Sequence, residues 1–122
     1  MPPTVTAVKW LSWEAREAEV RLRAGRHEIK AFCHPCGLRE GDTVDWVLNV
    51  FESRDVMRSD SIAEDFIPSS EGPYAYKVFG RVVDAKKRLV TVGEIRLTVD
   101  LPLPGDVQQG ETVQFVCDRI DV

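Results

Sequence analysis

The chain repeats one pattern of turns and alternating residues. The first copy contains three motifs in order, Ala24-Gly25, His34-Pro35-Cys36-Gly37 and Gly41-Asp42-Thr43-Val44. The second copy contains their counterparts, Val92-Gly93, Pro102-Leu103-Pro104-Gly105 and Gly110-Glu111-Thr112-Val113. The copies align at an offset of about 68 residues, and such a fixed-period echo predicts a duplicated structural unit.

The residues around Gly25 and Gly93 alternate between apolar and polar, which is typical of a strand with one solvent-exposed face. In the first copy, the apolar positions are Val20, Leu22, Ala24, His27, Ile29, Ala31 and Cys33. In the second copy, they are Val90, Val92, Ile95, Leu97, Val99 and Leu101. A glycine between two such runs supplies the positive φ of a tight hairpin turn.

One further strand precedes each hairpin, at about residues 6–13 and 75–83, and another follows each Gly-acid pair. The pattern predicts an all-β fold of about eight strands, built from two duplicated four-stranded units that form one shared OB-like barrel or two. We expect a single compact domain over residues 1–122, with repeats at 1–52 and 74–122 and a linker at 53–73.

The linker carries the signature of a short helix near residues 61–67. Ser61-Ile62-Ala63-Glu64 has the form of a capping box, and Pro68 would end the helix. Ile62 and Phe66 are four residues apart, on one face, so we expect the helix to dock through both. The alternative is an acidic loop.

Val8-Lys9-Trp10-Leu11 and Leu38-Arg39-Glu40-Gly41-Asp42-Thr43-Val44 resemble the first strand and the fourth-strand entry of cold-shock-type OB-folds. The second half shows a fainter version in Lys77-Val78-Phe79-Gly80 and Gly110-Glu111-Thr112-Val113. The resemblance implies an OB-type barrel. It also implies a binder of single-stranded nucleic acid, which stacks bases on aromatic residues of the second and third strands.

The chain departs from that family where the bases would stack. Phe32 is the only outward-facing aromatic residue in those strands, and the formal charge of −4 disfavours nucleic acid. One row of residues still makes a candidate surface for an anionic partner: Lys9, Arg21, Arg23, Arg26, Lys30 and Phe32. The alternative is a solvated face, because Glu19 and Glu28 lie among these cations.

Cys33-His34-Pro35-Cys36 is the motif closest to redox or zinc chemistry. A redox Cys-x-x-Cys needs a helix at the first cysteine, and a turn follows here instead. A zinc site needs two more ligands, for which only His27, His34 and Cys117 are available. We therefore expect Cys33 to be a core residue and Cys36 a loop thiol, with no metal and no cofactor.

No catalytic constellation is visible, and Trp10, Trp13 and Trp46 are interpreted as core residues. Trp10 and Trp13 are three residues apart in a strand and point to opposite faces, so the alternative is that one of them is exposed beside Lys9 and Arg16 and contacts a base, a peptide or a partner subunit. The final strand of each unit is apolar on both faces, which favours a homodimer or another protein partner. The sequence thus predicts a non-enzymatic protein-interaction module whose partner is unknown. Two alternatives remain: a binder of single-stranded nucleic acid, and a thiol or metal protein that uses Cys33 and Cys36.

Three cysteines without a visible export signal are typical of reduced thiols, so we expect a cytoplasmic protein. No apolar run approaches the roughly 20 residues that cross a bilayer, so no membrane association is expected.

Overall fold

The computed structural model describes all 122 residues, and its secondary structure consists of strands without a helix. The eleven strands are β1 (Thr4–Ser12), β2 (Glu17–Ala24), β3 (His27–Cys33), β4 (Leu48–Phe51), β5 (Arg54–Arg58), β6 (Asp65–Pro68), β7 (Tyr76–Asp84), β8 (Leu89–Val92), β9 (Ile95–Thr98), β10 (Thr112–Cys117) and β11 (Arg119–Asp121). The all-β prediction is confirmed, and the number of strands was underestimated. The structure contains no helix that could span a membrane.

All eleven strands belong to one sheet with the order β1-β2-β3-β11-β4-β9-β8-β7-β10-β5, and β6 pairs with β7 beside this path. One cluster of 26 buried residues takes side chains from both halves of the chain, so the sheet surrounds a single interior. The path does not close, because β1 and β5 are its two ends. The predicted OB-like barrel is therefore not supported.

The two halves join through their last strands. β4 pairs in parallel with β9 of the second half, and β11 pairs in parallel with β3 of the first. β4 and β11 also pair with each other, antiparallel, with Val50 opposite Ile120. These two side chains are buried, so contacts within the chain account for much of the apolar character of the final strands. The reason for expecting a protein partner from these strands is weakened accordingly.

The turns of the two halves match in backbone conformation. Gly25 and Gly93 have φ of 59° and 58°, and Gly41 and Gly110 have 95° and 88°. The Gly25 and Gly93 hairpins have the two-residue loop and the first-position glycine of a type II′ turn, as the sequence predicts.

The fourth strands differ between the halves. In the second half, β10 pairs with β7 over residues 112–117, which gives the Greek-key order β10-β7-β8-β9. In the first half, the corresponding contact with β1 is a single bridge between Thr4 and Thr43. The first-half strand was predicted to begin at Val44, but it begins at Leu48, where it joins the other half. This early departure leaves most of β1 without a second neighbour.

The predicted helix at 61–67 is wrong. Residues 61–64 have no regular structure, and β6 begins at Asp65. Ser61 Oγ bonds the backbone of Ala63 instead of capping a helix, and the Glu64 carboxylate binds Gly93 and Arg81. These tertiary bonds outweigh the local capping signal. Phe66 docks as predicted, whereas Ile62 is 89% exposed.

Candidate protein-interaction surface at the open edge of the sheet

The cations predicted to bind an anionic partner lie on the outer face of β1–β3, and two of the five, Arg21 and Arg26, have side-chain partners within the chain. Arg21 lies 3.9 Å from a carboxylate oxygen of Glu28, and Arg26 donates to the Glu64 carbonyl at 3.0 Å. The Lys30 amide donates to the Tyr76 hydroxyl at 2.8 Å, which brings the second half against this face. The side chains of Lys9, Arg23 and Lys30 make no ion pair or hydrogen bond within the chain. The row is therefore not a continuous basic groove.

Phe32 is covered from within the chain. The Arg119 guanidinium lies 4.4 Å from the Phe32 ring centroid and 4.4 Å from that of Phe51, so it is sandwiched between the two rings. Arg119 is held there by two bonds to the Asp121 carboxylate, at 2.7 and 3.2 Å. His34 stacks beside Phe32, with 6.3 Å between the ring centroids. A base that stacked on Phe32 would have to displace Arg119.

The three thiols lie inside the protein. Cys33, Cys36 and Cys117 are all buried and unpaired. Cys36 lies in the loop that follows β3, as expected, but its side chain is buried in the core. The Cys36 amide donates to the Arg16 carbonyl at 2.7 Å, which draws this residue under the β1–β2 turn. Burial raises the pKa of the Cys33 thiol to about 12, and a hydrogen bond with Cys36 adds to this rise. Burial likewise raises the pKa of Cys117 to about 12. Such thiols are protonated at neutral pH and react poorly.

β1 has an open edge over residues 6–11. Its only strand neighbour is β2. On the other side, Val5 is the last residue of β1 whose backbone forms hydrogen bonds, and its partners are Gly41 and Asp42. In an antiparallel sheet, about half of a strand's backbone amides and carbonyls point to one side of the strand and the other half point to the opposite side. The outward half along residues 6–11 has no backbone partner in the chain, so this edge can accept another strand.

An aromatic cluster lies at the end of this edge. The Trp10 and Trp13 rings meet edge to face at 4.7 Å, and the Arg16 guanidinium lies 5.7 and 5.2 Å from their centroids. Trp10, Leu11 and Trp13 are 37%, 43% and 63% exposed. The prediction that the three tryptophans are core residues is wrong, because Trp46 is exposed too, and the alternative of an exposed tryptophan on this strand holds for both Trp10 and Trp13. We call residues 6–13 with Arg16 the β1 surface.

The opposite end of the sheet, β5, is protected. Arg54 is bonded to Asp118 at 2.7 Å and to Glu71 at 3.0 Å. Arg58 lies 3.4 Å from Glu111, and Asp55 has a positive φ of 56° that interrupts the strand. Short length, charged side chains and a local irregularity are the usual devices that prevent an edge from pairing. β1 is longer, with nine residues and a single charged side chain, Lys9, although its register with β2 shifts between Val5 and Ala7 and between Trp10 and Ser12. Residues 7–10 between the two shifts form a regular stretch.

Cavities and titratable clusters do not point to a catalytic or metal site. The largest cavity, of about 410 Å³, is open to solvent and lies between the N-terminus, Trp46 and the β8–β9 turn. Two charged groups in its lining form an ion pair at 3.4 Å, the Met1 amine and the Glu94 carboxylate. No group of three or more His, Cys, Asp or Glu side chains is arranged to hold a metal ion.

Comparison with protein-family models found no match, and comparisons with curated proteins and with solved structures found none either. The resemblance to cold-shock OB-folds therefore stays a prediction, and the functional argument rests on the geometry of this chain.

Sequence reasoning identified an exposed tryptophan beside Lys9 and Arg16 as a candidate contact for a base, a peptide or a partner subunit, but it did not identify the rest of the β1 surface. Trp13 directly precedes the charged connector Glu14-Ala15-Arg16-Glu17, where a buried side chain is out of place. The open edge itself had no sequence signal, because it depends on where the strand after Gly41 goes.

Proposed function

We propose that this protein is a non-enzymatic protein-interaction module that binds an extended segment of another protein as an added strand on β1. The observation that carries the proposal is that one strand combines an unpaired backbone edge with the exposed side chains of Trp10 and Leu11. In strand addition, main-chain hydrogen bonds supply affinity and alternate side chains supply specificity.

The aromatic cluster supplies the anchor of the β1 surface. Tryptophan and arginine are enriched among the residues that dominate binding energy, and Trp10, Trp13 and Arg16 already contact one another. Because their rings are held together before binding, little side-chain freedom is lost when a partner packs on them. Burying a large apolar side chain such as Leu11 contributes about 1.5–3 kcal/mol. The partner segment therefore presents apolar residues to this cluster.

The charge on β1 favours a different chain over a second copy. Lys9 lies near the middle of the open stretch. Glu19 lies opposite it on β2 without forming an ion pair, and the open side offers no acidic partner. Antiparallel pairing of β1 with itself about Val8 or Lys9 would place the two Lys9 side chains diagonal to or opposite each other, which is destabilising. A foreign strand with an acidic residue facing Lys9 is stabilised instead. The partner is thus an extended segment with apolar residues and one acidic residue.

The other candidate functions have less support. Single-stranded nucleic-acid binding needs an accessible stacking platform, and Arg119 covers Phe32. Thiol or metal chemistry at Cys33 and Cys36 needs accessible thiolates, and both thiols are buried.

Selection of phage-displayed random peptides of about 12 residues, long enough to span the open stretch, tests the proposal. We expect enriched peptides with alternating apolar residues and an acidic position. These peptides should bind the wild type and the control variant Met57→Lys, which is changed on the β5 edge, with equal affinity. Their affinity for Leu11→Lys should be at least tenfold lower. Met57 and Leu11 are similarly exposed, at 46% and 43%, so the pair is matched.

Failure to enrich any peptide, or equal binding to Leu11→Lys, would overturn the proposal. Sedimentation analysis of the protein alone tests the remaining alternative, which is that a second copy of the chain occupies β1. A wild-type dimer that Leu11→Lys converts to a monomer would show that a second copy occupies β1, contrary to the argument from Lys9.

A further inference from the structure

The turns at Gly25 and Gly93 share a backbone conformation but differ in what they bind. In each turn, the glycine is the first of two loop residues, and its amide takes no part in the hairpin ladder. The Gly93 amide donates to a Glu64 carboxylate oxygen at 3.1 Å. The Gly25 amide makes no hydrogen bond within the protein. Two equivalent donors therefore differ only in their acceptor.

Around Gly93 the chain builds a carboxylate site. One oxygen of Glu64 accepts from the Gly93 amide, and the other accepts from Arg81 Nε at 3.1 Å. Hydrogen bonds to a carboxylate are about twice as strong as neutral ones, and an arginine adds directional recognition. The Glu64 side chain is thus a ligand that the chain supplies to its own second half.

The donors of this site recur around Gly25 with their strands exchanged. In the second half, Arg81 on β7 lies opposite Thr91 on β8. In the first half, Thr4 on β1 lies opposite Arg23 on β2. Thr91 and Arg23 are each two residues before the turn glycine of their half. Each has the other residue type opposite it on the neighbouring strand, Arg81 in the second half and Thr4 in the first.

Arg23 is available for a ligand. It makes no ion pair or hydrogen bond, because Glu28, the residue opposite it on β3, faces Arg21. Arg23, Gly25 and the two threonines of β1, Thr4 and Thr6, line one surface cavity of about 380 Å³. A carboxylate in this cavity would meet a guanidinium, a backbone amide and hydroxyl groups.

We propose that the Gly25 turn is a second carboxylate-binding site, and that it takes an aspartate or glutamate side chain of a partner's extended segment. The Gly25 amide and the Arg23 guanidinium hold the two carboxylate oxygens, as the Gly93 amide and Arg81 hold Glu64. A side chain is favoured over a free carboxylate because Glu64 reaches its site on an extended segment that continues into β6. This site adjoins the β1 edge at Thr4 and Thr6, but its two carboxylate donors, the Gly25 amide and Arg23, lie outside β1, so it does not depend on strand addition there.

Amide shifts in ¹H–¹⁵N NMR spectra test the site. Propionate is the side-chain analogue of glutamate, propionamide is its neutral control, and sodium chloride controls for ionic strength. We expect propionate to move the Gly25 amide downfield with a dissociation constant of roughly 10–100 mM, a weak value that suits one ion pair in water. Propionamide and sodium chloride should leave the Gly25 amide in place, and so should propionate with Arg23→Gln. Lys30→Gln, in the same hairpin, should respond like the wild type, because the Lys30 side chain makes no ion pair or hydrogen bond with Arg23 or Glu28.

Two further measurements make the result decisive. In Glu64→Ala the Gly93 amide loses its acceptor, so it should begin to respond to propionate, which shows that this arrangement of donors recognises carboxylates. The capped peptide with the sequence of residues 61–66 should bind Gly25 at least tenfold more tightly than propionate does. The proposal is overturned if the Gly25 amide stays in place, or if Arg23→Gln responds like the wild type. Equal affinity for peptide and propionate would contradict the assignment to a side chain of an extended segment.

Discussion

The two halves of this protein share their turns but differ in what covers them. Residues 53–73 pack mainly on the second half: β5 pairs with β10, β6 pairs with β7, and Glu64 binds the Gly93 turn. In the first half, β1 keeps an open edge and Gly25 has no acceptor. Residues 53–73 therefore act as a built-in partner for the second half. The equivalent regions of the first half, the β1 edge and the Gly25 turn, are the places where a partner can bind.

Phe66→Ala should give the largest effect, because it removes the anchor of that built-in partner. The ring is buried against His27 and Tyr76, with ring centroids 6.1 and 5.8 Å away. Loss of a buried phenylalanine costs about 3–5 kcal/mol. Denaturant unfolding should show this loss, whereas Ile62→Ala, four residues earlier and exposed, should unfold like the wild type. Equal stability of the two variants would mean that residues 53–73 do not anchor on the second half.

The interval between Ile62 and Phe66 also shows what the sequence could and could not predict. Alternation and glycine placement are local, so the hairpins at Gly25 and Gly93 and the strands before them were predicted nearly in place. The helix at 61–67 was also predicted from local signals, and it is absent because Glu64 binds Arg81 and Gly93 instead of capping its own segment. The open edge of β1 depends on Leu48 joining β9, a contact that no local pattern encodes. Hence the fold class was predictable and the candidate site was not.

Trp10→Lys should give the next largest effect, on binding to selected peptides. It places a charge in the aromatic cluster beside Lys9 and Arg16, so we expect a loss of at least 100-fold, or about 2.7 kcal/mol. Calorimetric titration measures the affinity, and far-ultraviolet circular dichroism checks that the fold is retained. Met57→Lys on β5 is the matched control and should bind with wild-type affinity. Equal losses at both edges would remove the distinction between them.

Replacement of the two turn glycines compares the halves directly. Both have a left-handed φ, which costs an alanine about 1–2 kcal/mol. A Cβ at Gly93 would also lie 2.8 Å from Cδ2 of His27, whereas a Cβ at Gly25 meets nothing within 4 Å. Gly93→Ala should therefore lower the free energy of unfolding by about 1 kcal/mol more than Gly25→Ala does. Thermal unfolding of the two variants measures the difference, and equal melting temperatures would show that the Gly93 turn is no more tightly covered.

The buried thiols should leave stability unchanged at neutral pH, and here the halves should behave alike. The pKa of Cys33 and that of Cys117 are both raised by burial from the ordinary value of 9.0 to about 12. The unfolded chain therefore releases these protons first, and stability is full below about pH 9 and falls as the pH rises toward 12. Denaturant titrations of the wild type from pH 7 to 10.5 should show this decline. The decline should be smaller in Cys33→Ser and in Cys117→Ser, when the stability of each protein is measured relative to its own value at pH 7. A wild-type stability that stays constant over this range would contradict the buried, protonated state.

Amide hydrogen exchange along β1 tests the central claim most directly. In the free protein, the amides of residues 6–11 that point away from β2 should exchange rapidly, because no neighbouring strand protects them. A saturating selected peptide should slow them at least 100-fold while the amides of β5 keep their own rates. Binding that leaves the β1 amides unprotected, or that protects β5 instead, would contradict the account.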